Sequence, residues 1–389
     1  MASVSLPRTI FDADHDDFRH MVRRFVDQEV VPHLEEWEGL GQVDRDLFRK
    51  AGATGMLGMS APERFGGGGV DDFRFNAIFI EELACVGASA VVMALCGFND
   101  LVAPYFIAFG SDEQNDRLLA PMIAGEKVGA IALTEPGTGS DLAAITTTAR
   151  PDGDHFVLNG AKTFISNGML ADVVVVAART DPEAGRAGIS LLCVETDSPG
   201  FSRNGPLKKI GLGAQDTAEL FFDDVRVPRE NVLGSEGEGW VQMRKNLSAE
   251  RLHIAVTSMA RMRATFEQAL AYASDRRAFG QRIADFQANR FYLAELATEI
   301  EITQVFVDRC IQDASSHKLD EVTAAMAKWW TTELHQRVIQ RALQLHGGYG
   351  FMKEYPVAHD YMDSRVNTIF GGTTEIMKEI IGRRLTRAD

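Results

Sequence analysis

Phe156-Val157-Leu158-Asn159-Gly160, followed by Val173-Val174-Val175-Val176-Ala177, Ile189-Ser190-Leu191-Leu192-Cys193-Val194 and Ala218-Glu219-Leu220-Phe221-Phe222, decides the fold class. Each run is short, rich in β-branched or aromatic residues, and bounded by Gly, Asp, Asn or Pro, which is how strands read. No helix-length periodic segment separates them. The strands therefore belong to an antiparallel sheet or barrel, not to strand–helix–strand units, and the usual nucleotide-binding fold drops out of contention. Asp152-Gly153 and Asn159-Gly160 read as turns between strands, because both pairs accept the left-handed backbone of tight hairpins.

On either side the pattern is helical. Phe18, Met21, Val22, Phe25 and Val26 recur at helical spacing, as does the stretch from Phe75 to Cys85. Between them, Phe65-Gly66-Gly67-Gly68-Gly69-Val70 reads as a flexible loop, since no strand precedes it and no Lys follows it as a phosphate cradle requires. Beyond the glycine-rich loop Gly234 to Gly239, Leu252, Val256, Met259, Phe266 and Leu270 mark one apolar helix face. Further helices follow over Tyr292 to Val305, Val322 to Leu345 and Glu375 to Ile381. The expected fold is α+β in three modules: an N-terminal helical domain (1–125), a middle antiparallel β-barrel-like domain (126–238) and a C-terminal four-helix bundle (239–389).

The formal charge of −15 argues against nucleic acid or an anionic membrane as partner. The start of the chain is acidic and lacks the basic-then-apolar order of a signal peptide, and the longest apolar run, Ala88 to Phe98, is too short to span a bilayer. Cys85, Cys96, Cys193 and Cys310 have no paired spacing and sit among apolar neighbours, the pattern of reduced, packed cytoplasmic thiols without a metal site.

The most specific stretch is Ile131-Ala132-Leu133-Thr134-Glu135-Pro136-Gly137-Thr138-Gly139-Ser140-Asp141. A strand enters a Pro-Gly turn carrying hydroxyls and glycines, which suits either a ligand loop or a tight turn. This stretch resembles the signature of the acyl-CoA dehydrogenase family, and the resemblance extends over essentially the whole chain. Lys162-Thr163-Phe164-Ile165-Ser166-Asn167-Gly168 is similar to the family's second flavin-contacting strand. Asp275-Arg276-Arg277-Ala278-Phe279-Gly280, with Gln287 after it, matches the Arg-x-x-Phe-Gly motif, and Gln344-Leu345-His346-Gly347-Gly348-Tyr349-Gly350 matches the Gly-Gly-x-Gly loop.

The resemblance implies FAD in a cleft between the β domain and the C-terminal bundle. Ile131, Leu133, Thr134, Gly139, Ser140, Phe164 and Ser166 would lie along the flavin. Arg276, Phe279, Gln287, Gln344, Gly347 and Gly348 would reach the pyrophosphate and adenine end, in this family of a neighbouring subunit's cofactor. It further implies an acyl-CoA substrate, an electron-transfer flavoprotein as acceptor, a homotetramer and no membrane span. By itself Arg276 reads as a solvated helix-end cation.

The reaction needs a base for the proton α to the thioester, and a carboxylate serves if burial raises its pKa. Many family members carry it directly before the glycine of the C-terminal turn. Here that position is Gly371, in Phe370-Gly371-Gly372-Thr373-Thr374-Glu375, and Glu375 comes four residues too late. A subset similar to isovaleryl-CoA and long-chain acyl-CoA dehydrogenases carries the base on the helix that holds Leu247-Ser248-Ala249-Glu250-Arg251-Leu252. Loss at one position with gain at the other marks Glu250 as the base, against its plain reading as a solvated helix glutamate.

By the same resemblance the N–H of Gly371 would bind the thioester oxygen, Gly372 and Ser140 would adjoin the substrate, and Arg251 would contact CoA, where a helix-surface ion pair is the competing reading. Thr373 reads as the cap of the last helix and Glu375 as its favourable first-turn acid, both also touching the cofactor in relatives. His253 and His346 read as packing residues. The expected substrate is a long or branched acyl-CoA. A flavin monooxygenase or oxidase on the same fold, and a non-catalytic flavin-binding subunit of a mixed oligomer, are the competing functions.

Overall fold

The structure, a computed structural model, describes residues 6–386; the first five residues of the acidic N-terminal stretch and the last three of the C-terminal module lie outside them. Its middle is one sheet of seven strands: β1 (Gly129–Ala132), β2 (Thr148–Asp152), β3 (His155–Ser166), β4 (Val173–Arg179), β5 (Ile189–Glu195), β6 (Phe201–Asn204) and β7 (Thr217–Pro228). The order is β1-β4-β2-β3-β7-β6, with β5 on β4. Most pairings are antiparallel, as expected, but β1 runs parallel to β4 and β2 meets β4 in parallel at Thr148 and Arg179. The sheet is therefore mixed.

Side chains alternate between the faces of a strand. Val173, Val175 and Ala177 of β4 join the large core shared with the helices, whereas Val174 and Val176 join a second core on the other face. Burial on both faces explains why β4 carries an unbroken apolar run and β5 one from Leu191 to Val194. Asp152-Gly153 does lie at a hairpin, with Asp152 opposite His155 and Gly153 at φ +61°. Asn159-Gly160 is no turn: Gly160, at φ +148°, lies inside β3 at a bulge, where a Cβ would come 2.5 Å from the Thr147 hydroxyl. Both turns and bulges demand glycine-type backbone, so the dipeptide alone does not separate them.

Helices flank the sheet in sequence: α1 (Ala13–Phe25), α2 (Phe73–Cys85) and α3 (Ala103–Phe109) before it, then α4 (Gly239–Asp275), α5 (Gln287–Ser315), α6 (Glu321–His346), α7 (Pro356–Asp363) and α8 (Thr374–Thr386) after it. Every residue of α4 from Glu250 to Met262 is buried, because α2, α5 and α6 all pack against this helix. The 66–70 loop is tied down: the N–H groups of Gly68, Gly69 and Val70 donate to Gly58, Ala61 and Met59 carbonyls. Cys96, Cys193 and Cys310 are buried thiols, but Cys85, at the end of α2, is exposed.

Among the described residues no single helix is long and apolar enough to cross a membrane; Ser89–Cys96 and Phe98–Phe109 pass only together, bent by 42°. No group of three or more His, Cys, Asp or Glu among them is placed to hold a metal ion.

Candidate active site

Asn246, Glu250 and Ile254 lie one helical turn apart on α4 and share a face. The Glu250 side chain points into protein, and the residue is 8% exposed. Its Oε1 accepts from Asn246 Nδ2 at 3.2 Å and from Tyr105 Oη, on α3, at 3.5 Å. Burial raises the carboxyl to about 7, against smaller opposing effects of Asn246, Arg251 and Tyr105. A carboxylate of that acidity is poised to exchange a proton near neutral pH.

The glycine turn stands directly against this helix. Gly371 and Gly372 sit at φ +62° and +97°, in the left-handed region that favours glycine. A Cβ on Gly371 would lie 2.4 Å from Ile254 Cδ1. Behind the turn, the fully buried Lys328 of α6 donates to the Gly372 carbonyl at 2.6 Å. Thr373 Oγ1 accepts from Ile376 N at 3.3 Å, the cap expected for α8, while Glu375 is exposed in its first turn.

Arg251 is buried, with its Nη1 3.6 Å from Glu321 Oε1 across on α6. Among the described residues its Nε and Nη1 make no hydrogen bond, leaving a buried cation with spare donors beside the turn. Burial, with Arg251 nearby, lowers Lys328 to about 8.

The 131–141 loop is braced from beneath. Glu135 is buried, and its carboxylate accepts from Lys162 Nζ at 2.9 Å, Thr146 N at 2.6 Å and Thr147 N at 3.0 Å. Lys162 also donates to the Leu133 carbonyl at 3.0 Å, and Thr163 N to the Thr134 carbonyl at 3.0 Å. The two motif strands are thus held side by side. Ile131, Leu133, Thr134 and Ser166 are half-buried, Gly139 and Ser140 exposed. Phe164 projects from β3 at φ +60° and is 68% exposed, a costly placement for an aromatic residue.

A separate group gathers at the far end of α4. Arg276, Gly347 and Gly348 line one cleft of about 450 Å³ with Tyr272, His346 and Tyr349. His346 stacks on Tyr272, ring centres 4.2 Å apart. Phe279 tips the hairpin of β8 (Arg277–Ala278) and β9 (Gln281–Arg282), at φ +51° and 96% exposed. Gln287 and Gln344 are exposed and do not line that cleft.

Sequence reading missed Lys162 as the brace of the loop, along with Asn246, Tyr105 and Lys328. Asn246 carried a signal, four residues before Glu250 on one helix; Tyr105 carried none, because only the tertiary fold brings it there.

The comparisons agree along the whole chain. Residues 12–126, 130–225 and 237–386 match the N-terminal, middle and C-terminal domains of acyl-CoA dehydrogenase. A long-chain specific mitochondrial acyl-CoA dehydrogenase of Sus scrofa is 46% identical over 380 residues, 97% of this chain and 88% of that one. A crystal structure of an acyl-CoA dehydrogenase from Geobacillus kaustophilus superposes with a TM-score of 0.95 at 44% identity, covering 98% of this chain and 100% of that one. The caffeyl-CoA reductase–Etf complex subunit CarC of Acetobacterium woodii is 36% identical over 97% of this chain and 99% of its own.

The three matched domains define the class as that of the FAD-dependent oxidoreductases. The chain belongs to the acyl-CoA dehydrogenase family. Its reaction is the FAD-dependent dehydrogenation of acyl-CoA. The residues present fit that cofactor: aromatic rings left exposed at Phe164 and Phe279, a half-buried polar strip at Thr134 and Ser166, and Gly347 and Gly348, whose missing Cβ atoms face open space beside Arg276.

Proposed function

We propose that the chain converts long-chain or branched acyl-CoA to the trans-2-enoyl-CoA, with Glu250 as the base. The observation that carries this reading is a buried helix carboxylate of acidity near 7 beside a glycine turn that has none. Glu250 takes the α proton; its Oε2 accepts no hydrogen bond among those of the described residues, whereas Oε1 is held twice. The Gly371 N–H binds the thioester oxygen and stabilises the charge that develops there. Arg251, with its unused donors, binds CoA, and Gly372 and Ser140 adjoin the substrate.

Bound FAD supplies the acceptor for the hydride that leaves the β carbon. Ile131, Leu133, Thr134, Gly139, Ser140, Phe164 and Ser166 hold its ring end, and Thr373 and Glu375 adjoin it. Arg276, Phe279, Gln287, Gln344, Gly347 and Gly348 hold the diphosphate and adenine end, across subunits of a homotetramer; the exposed Phe279 ring supports that sharing. We read residues 1–125, 126–238 and 239–389 as the modules that frame it. Electrons leave to an electron-transfer flavoprotein in the cytoplasm, a reading supported by the Etf complex to which the Acetobacterium woodii relative belongs.

The test is an anaerobic visible spectrum of the FAD-loaded protein titrated with acyl-CoAs from short to long. Bleaching strongest with long or branched chains is expected, and an oxidised flavin with every thioester would overturn the assignment. Greatest bleaching with short straight chains would overturn the substrate class alone.

A further inference from the structure

Asp100 lies in the π-helical turn Phe98–Val102, just ahead of α3. Pro104 stands four residues later and has no N–H, so the α-helical i→i+4 bond to the Asp100 carbonyl is not available. Asn246 Nδ2 donates to that carbonyl at 3.2 Å, and the same amide group donates to Glu250 Oε1 at 3.2 Å. The Asp100 carboxylate meanwhile turns to the other side of Glu250. Its Oδ2 lies 2.6 Å from Nδ1 of His253, which is fully buried and whose Nε2 has no hydrogen-bond partner. One residue from another helix thus contacts α4 four positions before Glu250 and three after it.

We propose that Asp100 and His253 are positioning residues for the reaction: Asp100 grips α4 on both sides of Glu250 and so sets the orientation and basicity of its carboxylate. This rests on Glu250 being the base. A buried imidazole–carboxylate pair packs no better than two apolar residues and is strongly penalised when one partner is lost. Here it fixes the amide that fixes the base. The grip holds only Oε1 and leaves Oε2 toward substrate. The Asp100 charge also opposes ionisation of Glu250. The other charged or titratable groups acting on Glu250 are Arg251 on α4 and Tyr105 from α3; Glu321 of α6 and Arg244 act on Arg251, which in turn acts on Lys328 of α6.

The test is the pH profile of kcat/KM of the FAD-loaded protein, with the acyl-CoA that bleaches it best. Asp100→Asn keeps the shape but removes the charge, so its acidic limb should move to lower pH with KM unchanged. His253→Gln retains a donor for Asp100 and should stay within about twofold of wild type, whereas His253→Leu should lose about tenfold in kcat. An Asp100→Asn profile superimposed on wild type, or equal losses in His253→Gln and His253→Leu, would overturn the proposal. Should His253→Leu fail to fold, the Asp100→Asn profile decides alone. A wild-type protein that bleaches while Glu250→Gln does not keeps the base assignment standing whichever way these profiles fall.

Discussion

Glu135 and Glu250 are buried to a similar degree, 4% and 8% exposed, yet their carboxyl groups are driven in opposite directions. Burial opposes the charge of both. At Glu135 hydrogen bonds from Thr147 and Thr146 and the Lys162 ammonium outweigh it, and the group falls to about 2. At Glu250 the donors are two neutral groups on one oxygen, and burial wins, to about 7. The difference teaches that burial only sets the cost of a charge; the donors around the carboxylate decide whether it becomes a permanent brace or a proton acceptor.

Removing each acid's distinctive feature should break the contrast. Glu250→Gln should slow anaerobic flavin reduction by roughly 10³-fold in stopped-flow measurement, with FAD content unchanged. In wild type the acidic limb should fall near pH 7, because protonation below that value removes the base. Lys162→Met strands the Glu135 charge in the core and should cost about 3–5 kcal/mol in urea unfolding. Adding Glu135→Gln should return part of it.

Stability against pH sharpens the same point. Glu250 holds its proton in the folded state between the ordinary 4.5 and about 7, so its contribution falls as pH rises through that window. Glu250→Gln should therefore be more stable than wild type above pH 7, by roughly 1–3 kcal/mol, with the gain vanishing near pH 4. Glu135 behaves oppositely: its stabilisation disappears as pH falls from 4.5 toward 2.

Gly371→Glu offers the turn a carboxylate of its own, at a positive φ and against Ile254. It should destabilise by about 1–3 kcal/mol and should not restore flavin reduction to Glu250→Gln until Ile254 is trimmed to Ala. Thr373→Ala removes only the α8 cap and should lower unfolding free energy by about 1 kcal/mol.

The α+β architecture was legible because β4 and β5 are apolar on both faces and α4 to α6 keep their period. β2 and β6 escaped, since Arg150-Pro151-Asp152 and Ser202-Arg203-Asn204 are too polar to read as strands. In the site, a glycine at 371 together with a glutamate at 250 was visible in motifs, but nothing near Glu250 announced its burial, which comes from helices distant in sequence, Tyr105 of α3 among them. The bracing of the 131–141 loop was equally hidden, because a Glu and a Lys twenty-seven positions apart look like two surface charges until the sheet joins them.

The contact between Gly371 and Ile254 also bears on the chain's future. On the proposed assignment of the base, moving it to the turn needs a larger residue at 371, a smaller one at 254 and a dispensable Glu250. The first step taken alone overlaps a buried methyl group, and with Glu250 as the proposed base its loss alone should silence the protein. Single-step mutation therefore meets a barrier on both of these routes, and the fit of one isoleucine against one glycine locks the present arrangement in place.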